Sequence, residues 1–129
     1  MKTKSIIFGL VAFGVFAAVL AAQTKRQTPA SDLMQKKLVY SQKILEGLAL
    51  EDFEKITSNT KAMNGLTQIA AFFVADTADY RAQLKVFRFA NDELVRLADE
   101  ENIDGAALAY MQQTLSCVNC HKYLRSHRM

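Results

Sequence analysis

The chain has 129 residues, with 16 basic and 13 acidic side chains and a formal net charge of +3. It contains two Cys, two His, one Pro, five Gly and no Trp. So small and nearly balanced a chain excludes a strongly basic nucleic-acid binder and a large multidomain enzyme.

The first stretch has the charged, apolar, small-residue order of a secretory signal. Lys2 and Lys4 precede an uncharged apolar run from Ile6 to Leu20, and Ala21 and Ala22 follow. The run is short for a membrane span, which needs about 20 residues. Cleavage after Ala22 is expected, making 1–22 a signal peptide. Without Lys2 and Lys4 the remaining chain carries only +1. Retention of the leader as an N-terminal anchor is the alternative, because Leu20-Ala21-Ala22-Gln23 is an imperfect cleavage site. Either way the folded part lies outside the inner membrane, in the periplasm.

Residues 23–30 read as a polar, flexible tether, and 31–129 as one domain. Thr28-Pro29 suits the start of a helix, expected to run to about Leu48. Met34, Leu38, Leu45 and Leu48 form its apolar stripe. A second helix begins near Glu51 and Asp52, carries Phe53, Ile56, Met63, Leu66 and Ile69 on its apolar face, and ends around 72–75. Asp76 or Thr77 can cap a third helix, with Asp79 in its first turn. Tyr80, Leu84, Phe87, Leu94 and Val95 supply its core stripe. After a turn at Glu100 to Asn102, Asp104 is the expected N-cap of a fourth helix. Ile103 and Leu108 would form a hydrophobic staple there. That helix continues through Leu108, Met111, Leu115 and Val118 into a basic tail. Few helix breakers, no alternating stretches and short turns predict an all-α, antiparallel up-down-up-down four-helix bundle behind the N-terminal signal helix.

Both cysteines fall in Cys117-Val118-Asn119-Cys120-His121, the C-x-x-C-H attachment signature for c-type haem. The spacing has a physical reason. Positions three and four apart share a helix face. Cys117 and Cys120 can therefore both reach one porphyrin edge and form thioethers to its vinyl groups. His121, on the same side, can place an imidazole nitrogen on the iron, while its other nitrogen donates to a second group. Three other readings compete. Two exported cysteines can form a disulfide. A C-x-x-C dithiol can be a redox site, but that motif belongs at a helix start after a strand. Structural zinc wants four ligands, and His127 is the only other His or Cys.

A C-terminal haem motif behind a predicted bundle resembles the class II c-type cytochromes, the cytochrome c prime group and its low-spin relatives. The resemblance runs from about Asp32 to Arg128 and is specific at Cys117, Cys120, His121 and Arg125. It implies one covalent haem c with His121 as proximal ligand and Arg125 near a propionate. The family usually has an aromatic before that Arg; here Leu124 holds the place and Tyr123 precedes it. The resemblance also implies that a first-helix residue covers the distal face. A Met there gives a six-coordinate electron carrier, and an apolar non-ligand gives a five-coordinate protein that binds small gases such as nitric oxide. Met34 is the expected distal ligand, since a thioether is a soft neutral donor that raises the potential; filling core space is its alternative role.

Leu33 and Leu38 would be the distal neighbours of an open site. Met63 is a weaker ligand candidate, and Met111 would pack beneath the ring. Phe53, Phe72, Phe73, Phe87, Phe89 and Tyr110 are candidate pocket walls, though ordinary core is the stronger reading. Lys36, Lys37, Lys122, Arg125 and Arg128 form either a basic rim steering an acidic redox partner or a solvated face. The sequence thus reads as an exported monohaem electron carrier rather than an enzyme. Its expected partners are redox proteins. No nucleic acid is expected, and no membrane unless the leader is retained. The chain is expected as a monomer or homodimer.

Overall fold

The computed structural model describes residues 28–70 and 77–127. The signal, most of the tether, Phe72, Phe73, Asp76, Arg128 and Met129 lie outside the described residues. Four α-helices and no strand occur among the described residues: α1 (Pro29–Leu50), α2 (Phe53–Ala70), α3 (Ala78–Asp99) and α4 (Ile103–Ser126). They form the expected antiparallel bundle. None of these helices is long and apolar enough to cross a membrane.

Local chemistry fixes the helix ends. Thr28 caps α1 by accepting the Ser31 N–H, with Pro29 in the first turn. Thr77 caps α3 by accepting the Tyr80 N–H. The α1–α2 and α3–α4 turns share one device. Glu51 and Glu101 both take the left-handed conformation, each at φ 54°. The next residue donates its N–H back to the helix just ended, Asp52 to Gly47 O at 2.9 Å and Asn102 to Leu97 O at 2.9 Å. That same residue then caps the next helix: Asp52 Oδ1 accepts the Lys55 N–H and Asn102 Oδ1 accepts the Gly105 N–H, both at 2.9 Å. The fourth cap is therefore Asn102 rather than Asp104, which sits inside the first turn. A residue must stay outside the helix to cap it, and the Glu101 kink reserves that place for Asn102.

Ile44, Ile56, Met63, Phe87, Leu94, Ala98, Ala106 and Ala109 form the central core. The apolar stripes read from the sequence need correction on three helices; in α2, Ile69 near the end of the helix is exposed. In α1, Leu38 and Leu45 are more than half exposed, and Leu33, Ile44 and Gly47 take the inner face. In α4, the entire row Leu108, Met111, Leu115 and Val118 faces outward. Small and polar side chains replace it inside: Ala106, Ala109, Gln113 and Ser116. The Ile103–Leu108 staple does not form, because Leu108 is exposed while Ile103 packs on the core.

The polar groups drawn inward are all satisfied. Thr60 and Thr67 donate to the carbonyls of Ile56 and Met63 one turn back. Ser116 donates to the Gln113 carbonyl. A relay of amides crosses three helices: Gln113 donates to Asn91, Asn91 to Asn64, and Asn64 to Asp92.

Candidate functional site

The sequential helix pairs pack along their lengths, whereas α1 and α4 meet sparingly. One bridge between them is Tyr110, whose hydroxyl donates to the Ser41 carbonyl at 3.1 Å. Away from that bridge a cleft opens between α1, α3 and α4. It holds about 500 Å³ of empty space, counted out to its open mouth. Met34 and Lys37 of α1 line it, with Tyr80, Gln83, Leu84 and Phe87 of α3, and Ser116, Cys117, Cys120, His121 and Leu124 of α4.

Four of the five site residues named from the sequence therefore share one cleft: Met34, Cys117, Cys120 and His121. Arg125 does not line it; it is exposed in the last turn of α4. The motif lies within an unbroken helix, so the spacing of three and four residues sends Cys117, Cys120, His121 and Leu124 to one side. Tyr123 anchors the end of that helix, its hydroxyl 3.4 Å from Thr77 Oγ1 and its ring tilted on His127 at 4.2 Å between centroids.

The other candidates sort differently. Met63 is buried in the bundle, its sulfur accepting from Gln113 at 3.6 Å. Met111 is exposed on the outer face, so it does not pack beneath any group held in the cleft. Of the described aromatic candidates only Phe87 lines the cleft; Phe89 is exposed and Phe53 and Tyr110 pack elsewhere. Leu33 is buried but Leu38 is not. Tyr80, expected only as core, is a cleft wall, as are Gln83 and Leu124.

Lys37 is the residue whose role the sequence understated. It leaves the solvated face and reaches into the cleft, its ammonium 4.8 Å from the Phe87 ring centroid. Burial lowers its pKa, and the nearby Cys117 and Cys120 oppose that shift. Burial likewise holds the Cys117 and Cys120 thiols above the ordinary range, with the Lys37 charge pulling the other way. Cys117 is exposed as a residue, yet its thiol is desolvated by the cleft it lines. Burial also raises Tyr80.

Both cysteines carry free thiols. Among the described residues no group of three His, Cys, Asp or Glu could hold a metal ion. The donor set suits a ligand that brings its own equatorial coordination. Two thiols could anchor it covalently, an imidazole and a thioether could ligate its metal, and Leu84, Phe87, Tyr80 and Leu124 offer largely apolar walls. Lys37 adds one positive charge, which fits an anionic substituent. The residues present thus fit a haem. Comparison of the chain with protein-family models, characterised proteins and solved structures gives no match.

Proposed function

We propose that this chain is an exported, periplasmic monohaem c-type cytochrome of the class II kind, which passes single electrons between redox proteins and transforms no substrate. The observation that carries this reading is the meeting of Met34 from α1 with Cys117, Cys120 and His121 from α4 in one largely apolar cleft.

Bound haem would supply the one-electron couple of its iron. The chain does the rest. Cys117 and Cys120 would hold the haem covalently as thioethers, each S–H adding across a vinyl group so that no oxidant is needed. His121 and Met34 would ligate its iron. Leu84, Phe87, Tyr80 and Leu124 exclude water, and α1 and α3 are fixed to α4 independently of the site through the Tyr110–Ser41 bond and the amide relay. A rigid, dry frame holds both oxidation states in similar geometry. Lys37 stands ready for a propionate inside the cleft, while Arg125 serves at its rim.

The visible spectrum of protein purified from cells with haem-attachment machinery tests this. Sharp low-spin bands that carbon monoxide leaves unchanged support the electron carrier. A broad high-spin spectrum that shifts with gas replaces it by a gas-binding haem protein. A colourless protein overturns both.

A further inference from the structure

The outer face of α4 carries a pattern that neither the core nor the cleft uses. Leu108, Met111, Leu115 and Val118 are 63%, 60%, 59% and 54% exposed. With Asp104 before them and Lys122 after them, they keep the alternating four-and-three spacing of a helix-pairing seam. No acidic or basic side chain occurs from Gly105 to Cys120. Leu38 and Leu45, three residues before and four after Ser41, widen this apolar face onto α1, because Ser41 is the residue that meets Tyr110 of α4. An exposed apolar row of this size marks an interaction surface.

The charges at its ends say what covers it. The row is symmetric about Gln113. Turned end for end, Leu108 falls opposite Val118 and Met111 opposite Leu115. The same operation sets Asp104 opposite Lys122 and Glu101 opposite Arg125. Among the described residues none of these four charged groups makes an ion pair within the chain. Self-complementarity of this sort is what a two-fold interface requires. An anionic lipid surface would be repelled at the acidic end.

We propose that two copies of this chain pair through α4, antiparallel and about a two-fold axis level with Gln113, with Leu38 and Leu45 at the border. The interface lies on the side of α4 away from the core, so it leaves the cleft untouched, and its existence does not depend on what the cleft holds.

Sedimentation equilibrium of the purified protein is the test. A dimer is expected, and Leu115→Glu should raise its dissociation constant about tenfold or more with helix content unchanged. Asp104→Lys and Lys122→Glu should each weaken the dimer, and the two together should restore it. A monomer at every concentration up to millimolar overturns the proposal. So does a dimer indifferent to Leu115→Glu, failure of the double charge exchange to restore pairing, or a monomer that floats with phosphatidylglycerol vesicles.

Discussion

The ammonium of Lys37 lies 4.8 Å from the centre of the Phe87 ring, above the same cleft that the Cys117 and Cys120 thiols line. Three groups that prefer water are thus held against an aromatic wall. Each shifts toward its neutral form; the Lys37 charge and the thiolates favour one another, whereas a Cys120 thiolate disfavours that of Cys117.

The thiols should therefore react late. Their raised pKa values leave less thiolate at a given pH than an ordinary cysteine has. In protein made without haem attachment, the iodoacetamide rate should rise through an inflection above that of free cysteine. Lys37→Met should move the inflection higher still, since it removes the charge that favours thiolate. An inflection at or below the ordinary value contradicts this. The linkage has a definite sign. The folded state keeps protons that the unfolded state loses, so the thiols take stability away as pH rises from the ordinary thiol value through the folded one. Lys37 acts the other way: the unfolded state holds its proton more tightly, so its burial cost fades as pH rises from the folded lysine value to the ordinary one.

Met34→Ala should convert a low-spin spectrum into a high-spin one that responds to carbon monoxide, and lower the reduction potential, because the thioether stabilises ferrous iron. Met63→Leu should leave the spectrum unchanged, since Met63 is 1% exposed inside the bundle and lines no part of the cleft. Absorption spectra of the two variants check both statements. An unaltered spectrum in Met34→Ala removes Met34 from the site.

Gly47 of α1 packs directly against the start of α2. A methyl group there would stand 2.9 Å from Ile56 Cγ1 and 3.2 Å from the Asp52 carbonyl oxygen. Gly47→Ala should cost about 1–3 kcal/mol in urea unfolding despite the better helix propensity of Ala. By contrast, Glu51→Gly should stabilise by about 1 kcal/mol, because it relieves a left-handed conformation at a helix end. Equal and small effects at both positions would contradict the packing described.

The amide relay should be costly to break at one end. Asn91→Ala leaves Gln113 and Asn64 without their buried partner and should destabilise by about 1–3 kcal/mol, while Asp92→Ala, at the exposed end, should cost far less. Thermal unfolding of the pair checks the order.

Helix number, most boundaries and the shared side of Cys117, Cys120 and His121 were legible in the residues, because capping side chains and helical spacing are local properties. What failed was the facing of α1 and α4, and of Ile69 near the end of α2. Leu108, Met111, Leu115 and Val118 have the periodicity of a buried stripe, and periodicity does not say which of two apolar-compatible faces turns inward. Ala106 and Ala109 lie inside because small side chains admit close helix approach, and Gln113 and Ser116 follow them because each finds a hydrogen-bond partner. Tyr80, Gln83 and Lys37 became cleft walls through the relative placement of three helices, which no single helix pattern carries. Asp104 lost the cap to Asn102 through the left-handed Glu101, a conformation unusual for Glu.

The mass of the denatured, purified protein from cells that attach haem measures the central claim most directly. It should exceed the mass of the processed polypeptide by one haem, with no alkylatable thiol left, and Cys117→Ser with Cys120→Ser should abolish the gain. A bare polypeptide mass with both thiols free, or joined only to each other, would contradict the account.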